Sequence, residues 1–167
     1  MFSDAVRDRA REVVHAASAA HLTVGCAESC TGGLVSGALT AIPGSSVPVR
    51  GGIVSYAIAV KRAVLGVSDE VLDDPAQGAV SERCARQMSE GARRVLESDI
   101  AVSVTGIAGP GGEEPGKPVG TVWFGIASAR GTRARLCHFA GNRDEVREQA
   151  VLVALELLGE EIVELSQ

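Results

Sequence analysis

Short apolar runs that alternate with helical patterns constrain the fold of this chain most strongly. Three runs each lead into a segment containing glycine, serine or threonine: LTVGCA at 22–27, VRGGIVSY at 49–56 and DIAVSVTGIAG at 99–109. Runs of this length are typical of buried strands. Two later runs, VGTVWFGIASA and TRARLCHFA, meet at Gly131, and we expect them to form a β-hairpin.

Helical patterns separate these runs. Apolar residues recur at helical spacing over residues 4–20, small residues over 33–41, and Ser81 is placed to cap a helix that runs to about Glu97. A short segment ending at Leu65 could also be helical, and Asp73, Asp74 and Pro75 indicate a loop. Asn142 and Glu145 form a capping-box pattern before the last helix. The alternation predicts an α/β three-layer sandwich, in which a mixed, mostly parallel sheet carries helices on both faces.

Composition limits the size and the class of the protein. Residues 1–167 fit one domain, and a chain that is 46% hydrophobic but only 3% aromatic is expected to build its core from Val, Leu, Ile and Ala. The net charge of −5 argues against a nucleic-acid surface. A charged N-terminal segment and the absence of a long apolar stretch favour a cytoplasmic location without membrane contact. Paired apolar edges favour a homo-oligomer.

The four cysteines, at positions 26, 30, 84 and 137, are expected to be reduced and mostly buried. Cys26 and Cys30 are four residues apart, but no second close pair of cysteines or histidines accompanies them. We therefore expect no metal site.

The segment AESCTGG, residues 27–33, is the first candidate for chemistry. Ser29 and Thr31 lie where a strand passes into a helix, and Gly32 and Gly33 let the backbone approach a ligand while the helix start offers N–H groups. These are the parts of a nucleophile with an oxyanion hole. The alternative is that Ser29 or Thr31 only caps the helix. His15, His21 and His138 are poorly placed to act as the base.

Tyr56 and Lys61 supply the other means of activating a serine. A lysine made neutral by burial, or a tyrosinate beside a cation, can accept the hydroxyl proton. Lys61 lies in the otherwise apolar stretch AIAVKRAVL, so its amine can be drawn towards the sheet end. The alternative is a lysine whose ammonium group stays in water.

Two further segments suggest ligand contacts. Residues 111–117 match the spacing G-x-x-x-x-G-K, but Pro118 replaces the hydroxyl residue that would hold magnesium, and a strand follows, so we reject a P-loop. The preceding residues 105–109, with Thr105, Gly106 and Gly109, are better placed to contact a ligand, unless they form only a flexible hairpin tip.

Arginines at the start of the last helix are the remaining candidates. Arg143 and Arg147 share one face of that helix, where a guanidinium and the helix N-terminus could bind one phosphate group. The alternative is that both are ordinary surface arginines.

Seven motifs in this order resemble the CinA C-terminal domain family over about residues 5–158: AESCTGG, PGSS, GGIVSY with Lys61 and LGV, GAVSE, VTGIAGPGG, KPVGTVWFG and GNRDEVR. The resemblance implies hydrolysis of nicotinamide mononucleotide to nicotinic acid mononucleotide and ammonia without metal or cofactor. It also implies that Ser29 is the nucleophile, that Tyr56 and Lys61 activate it, and that Thr105 contacts the substrate. Arg143 matches a phosphate-side arginine.

One departure separates this chain from the family pattern. Ala57 and Ile58 stand where members usually carry a polar pair such as Ser-Asn. Two alternatives to the deamidase interpretation therefore stay open. The chain could be a catalytically quiet member that binds a pyridine nucleotide as a sensor or partner protein, or an amidohydrolase for another small carboxamide.

Overall fold

A five-stranded sheet forms the centre of the fold. The computed structural model describes residues 2–167. The strands are β1 (Val24–Glu28), β2 (Val49–Val54), β3 (Ile100–Gly106), β4 (Thr121–Ser128) and β5 (Gly131–His138), in the sheet order β2-β1-β3-β4-β5. β1 is parallel to β2 and β3, whereas β4 is antiparallel to β3 and β5. Four strands therefore run in one direction, and the predicted mixed sheet and hairpin are confirmed.

Within residues 2–167, six helices cover the two faces of the sheet, as predicted for a three-layer sandwich. They are α1 (Asp4–Ala19), α2 (Leu34–Thr40), α3 (Ile58–Leu65), α4 (Asp69–Leu72), α5 (Glu82–Leu96) and α6 (Arg143–Leu165). α1, α2 and α6 pack on one face, and α3, α4 and α5 on the other. The predicted caps are confirmed at Ser81 and at the capping box of Asn142 and Glu145. The single-turn helix α4 was not predicted, because four residues are too few to show a helical period.

The larger core lies between the sheet and α1, α2 and α6. It consists mainly of Val, Leu, Ile and Ala, with Phe124 as its buried aromatic ring. The other face carries small side chains, which let α5 approach closely. A Cβ atom on Gly125 would lie 2.2 Å from the carbonyl oxygen of Ala85, and the Ser103 hydroxyl donates to that same oxygen at 2.6 Å. The close packing fixes α5 against β3 and β4.

The carboxyl ends of β1, β2 and β3 lie at one edge of the sheet, because these strands are parallel. The turn after β1, the residues that join β2 to α3, and the loop after β3 therefore meet there. This edge is where open α/β sheets bind ligands. Within residues 2–167 no helix has the length and apolarity that a membrane crossing needs.

Candidate active site

Ser29 and Lys61 meet at the carboxyl edge of the sheet. Ser29 directly follows β1, and Lys61 lies in the middle of α3. The Lys61 Nζ atom is 2.8 Å from the Ser29 Oγ atom. Ser29 is half-buried, whereas the Lys61 side chain is only 1% exposed. The contact is of the length and type that a serine nucleophile and its base require.

The surroundings of Lys61 suit a neutral amine. Its Nζ atom also lies 2.6 Å from the carbonyl oxygen of Ser55 and 3.4 Å from that of Tyr56. A neutral amine can donate its two hydrogens to these carbonyls and accept the Ser29 hydroxyl proton on its lone pair. Burial lowers the pKa of Lys61 from its ordinary value of 10.5, because desolvation disfavours the charged form. Among residues 2–167, no carboxylate lies within ion-pair distance of this amine.

Tyr56 does not join this pair through its phenol, so the predicted Tyr56 relay is corrected. Its side chain is 62% exposed, and only its backbone carbonyl approaches Lys61. The phenol oxygen instead lies 3.4 Å from a guanidinium nitrogen of Arg143. The reason is that Tyr56 lies between β2 and α3, where its side chain turns outwards while its backbone faces the amine. The structure therefore brings together two of the three predicted catalytic groups.

The carboxylate of Glu28, the last residue of β1, caps the start of α2. This role was not predicted from the sequence. Its fully buried carboxylate accepts hydrogen bonds from the N–H groups of Gly33, Val35 and Ser36 and from the Ser36 hydroxyl, at 2.9–3.0 Å. A buried carboxylate is stable here because helix N–H groups and the helix dipole compensate its charge. The available signal was an acidic residue at the end of an otherwise apolar strand before a small-residue helix.

The same hydrogen bonds correct the predicted oxyanion donors. The Gly33 N–H is bound to Glu28, and the Gly32 N–H donates to the Ser29 carbonyl at 3.0 Å. Neither group is free to hold an oxyanion. Within residues 2–167, the N–H groups of Cys30 and Thr31 donate to no backbone carbonyl. The candidate donors therefore lie in the turn itself, one and two residues after Ser29. The Thr31 hydroxyl is fully buried and has no partner in the described part of the chain.

The glycine loop after β3 lies at the same edge. Thr105 is buried, and its hydroxyl donates to the carbonyl oxygen of Ala79 at 2.6 Å, so its predicted contact with substrate stays a prediction. Gly106 packs so closely that a Cβ atom would lie 2.7 Å from the Thr121 carbonyl oxygen. Gly109 has a φ of +74° and its carbonyl accepts from Arg143 at 2.7 Å. Arg143 thus links the glycine loop to the phenol of Tyr56.

A cavity of about 520 Å³ lies elsewhere. It is a groove between α1, α2 and α6, lined by Phe2, Val6, Leu34, Val151 and the charged residues Asp144, Arg147 and Glu148, among others. It contains neither Ser29 nor Lys61. The groove brings no nucleophile into contact with a base, so the serine and lysine remain the candidate active site.

The fold and the site together define a class of protein. It is an α/β sandwich in which a serine contacts a buried lysine at the ends of the strands. The chain belongs to the CinA family: the model of the CinA C-terminal domain matches residues 6–162. A CinA-like protein of Gemmatimonas aurantiaca is 49% identical over 137 residues, which cover 82% of this chain and 32% of that protein. The chain spans about a third of the length of the curated relatives it matches.

Solved structures resemble the chain over nearly their whole length. The competence/damage inducible protein CihA from Agrobacterium tumefaciens is 40% identical with a TM-score of 0.92, and the match covers 100% of this chain and 99% of that one. A competence-damaged protein (CinA) superfamily protein from Klebsiella pneumoniae is 35% identical with a TM-score of 0.90, over 95% of this chain and 98% of that one.

Proposed function

We propose that this protein hydrolyses the carboxamide of nicotinamide mononucleotide to a carboxylate, releasing nicotinic acid mononucleotide and ammonia. The observation that carries the proposal is the 2.8 Å contact between Ser29 and the buried amine of Lys61. Membership of the CinA family supports the choice of substrate. The reacting partner is therefore a small molecule.

In the proposed first step, the Ser29 oxygen attacks the carboxamide carbon and its proton passes to Lys61. The N–H groups of Cys30 and Thr31 are the candidate donors to the resulting oxyanion. The Lys61 ammonium then returns the proton to the departing amine, so that ammonia leaves and a nicotinoyl ester remains on Ser29. In the second half, water loses a proton to Lys61 and attacks the ester, which frees the acid and restores the serine.

The surroundings of the pair offer contacts for the rest of the substrate. Arg143 is exposed at the start of α6 and lies beside Tyr56 and the carbonyl of Gly109. Its guanidinium can bind a phosphate group, and the exposed phenol of Tyr56 can cover an aromatic ring. We propose that the nucleotide lies across this surface with its carboxamide directed at Ser29.

Ammonia release from nicotinamide mononucleotide by the purified chain tests the proposal, with Ser29→Ala as the matched variant. We expect turnover by the wild-type protein and loss of turnover in the variant. Full turnover by Ser29→Ala would exclude the serine mechanism. Saturable binding without ammonia release would favour a quiet pyridine-nucleotide-binding member, and faster turnover of other carboxamides would favour a different substrate.

A further inference from the structure

Arg147 holds the backbone of the turn that follows Ser29. Its Nε atom donates to the carbonyl oxygen of Cys30, and its Nη2 atom to that of Thr31, both at 3.1 Å. Its nearest carboxylate, Asp144, is 3.9 Å away and 92% exposed, so the ion pair between them is weak. The directional bonds of this guanidinium therefore go to two successive carbonyls, an arrangement that the parallel N–H groups of an arginine suit.

These bonds set the direction of the Thr31 N–H. The peptide between Cys30 and Thr31 is planar and trans, so the Thr31 N–H points opposite to the Cys30 carbonyl, which accepts from Arg147. Arg147 comes from α6, on the same face of the sheet as the buried side chain of Cys26. Side chains alternate along a strand, and Ser29 continues the register of Ala27, which packs on the α3 and α5 face. The Thr31 N–H is consequently directed away from α6, towards the face that carries Lys61.

The turn after Ser29 has an alternative conformation, in which the Thr31 N–H would point towards α6. The Gly32 N–H donates to the Ser29 carbonyl, so residues 29–32 form a β-turn with Cys30 and Thr31 at its centre. Flipping the central peptide converts a type I turn into type II, which needs a positive φ at the second central residue. Thr31 does not have a positive φ. Its β-branched side chain opposes the flip, and the bond from Arg147 to the Cys30 carbonyl exists only in the unflipped turn.

We infer that Arg147 is a positioning residue, which fixes the Cys30–Thr31 peptide so that the Thr31 N–H faces the oxyanion formed on attack by Ser29. The inference rests on the serine mechanism proposed above. Because Thr31 also opposes the flip, loss of Arg147 loosens the turn rather than inverting it. The expected effect is therefore smaller than the roughly 100- to 1000-fold loss that follows deletion of an oxyanion donor.

Two measurements on Arg147→Met, Arg147→Lys and the wild-type protein test this inference. The first is steady-state ammonia release from nicotinamide mononucleotide. The second is the rate at which a fluorophosphonate labels Ser29, followed by intact mass. In that reaction the serine oxygen displaces fluoride from phosphorus and its proton passes to Lys61, so it probes the turn without the nucleotide. Arg86→Met is the matched control, since Arg86 also donates from a helix to a carbonyl, that of Thr132 at the opposite end of the sheet.

For Arg147→Met we expect kcat and the labelling rate to fall about 10- to 100-fold while KM changes less than about threefold, because the lost interaction acts only in the transition state. Arg147→Lys should recover part of the loss, since an ammonium can reach one carbonyl but not align two. Arg86→Met should label at the wild-type rate.

Wild-type rates in Arg147→Met or in Arg147→Lys would overturn the inference, as would a rise in KM at unchanged kcat. If the wild-type protein labels but does not turn over nicotinamide mononucleotide, the proposed substrate is wrong, while slow labelling of Arg147→Met still supports the positioning role. If the wild-type protein neither labels nor releases ammonia, both proposals fall.

Discussion

Replacing Lys61 by methionine removes the amine that contacts Ser29 and leaves a side chain of similar length. The contact is 2.8 Å long, so the lysine lies within the range at which a general base acts. Loss of a general base costs about 100- to 10,000-fold in rate, or roughly 3–5 kcal/mol of transition-state stabilisation. We expect the variant to lose activity to this extent in an ammonia-release assay at saturating nicotinamide mononucleotide.

The stability of Lys61→Met should rise slightly or change very little, although its activity falls. Burial of the Lys61 amine is costly when it is charged, and methionine removes that cost while leaving the Ser55 carbonyl without its partner. These effects oppose one another, so we expect the free energy of unfolding to stay within about 1–2 kcal/mol of wild type. Urea unfolding measures it. Lys61→Arg is the control for charge. A guanidinium cannot lose its proton in this setting, so this variant should also lose turnover.

The pH profile supplies the decisive result. Burial lowers the pKa of Lys61, and the neutral amine is the active form, so kcat/KM should fall as the pH drops through the lowered pKa. The midpoint should lie below 10.5, the ordinary lysine value. The sign for stability follows from the same shift: between the two pKa values the unfolded chain binds more protons, so stability rises with pH there. Retention of this activity limb in Lys61→Met, or substantial turnover by Lys61→Arg, would refute the assignment.

Three further predictions concern the residues around the pair. Tyr56→Phe should lower kcat at least tenfold less than Lys61→Met does, because the phenol is exposed and does not contact Ser29; kinetics of the two variants at one pH compare them, and equal losses would restore the tyrosine as a base. Glu28→Gln should lower the free energy of unfolding by about 2–4 kcal/mol, since an amide cannot accept from every N–H group at the start of α2; urea unfolding measures this, and an unchanged midpoint would contradict it. Ala57→Ser should raise the free energy of unfolding by about 1 kcal/mol, because Ala57 is the N-cap of α3 and offers no side-chain acceptor; a rise of about 2–4 °C in the melting temperature is expected, and Ala59→Ser, inside the same helix, should give no rise.

The periodic parts of the fold were predictable because burial repeats along them. The alternation of short apolar runs with helices predicts the strands, the sandwich and the hairpin at Gly131, and a capping pattern places the start of α6 correctly. The helix α4 was not predictable in this way. Its first residue follows Ser68, and its four residues show no period that distinguishes them from a loop.

Within the site, position along the chain predicted which residues would meet but not which atoms. Ser29 and Lys61 were predicted from a strand end and a polar residue in an apolar stretch, and their contact is confirmed. Tyr56 has an equally suggestive position, yet its phenol points outwards and its backbone carbonyl makes the contact. Glu28 and Arg147 act by binding backbone N–H and carbonyl groups. Every residue carries such groups, so the sequence does not show which of them will be bound.

The same distinction bears on the departure at Ala57 and Ile58. Lys61 is oriented by the carbonyl oxygens of Ser55 and Tyr56, and these oxygens are present whatever side chains follow. Loss of a polar pair at 57 and 58 therefore does not disturb the contact between Lys61 and Ser29. Both residues are exposed beside Tyr56, on the surface where we propose that the nucleotide lies. Their side chains are accordingly placed to change which carboxamide is accepted rather than to remove the base that takes the Ser29 proton.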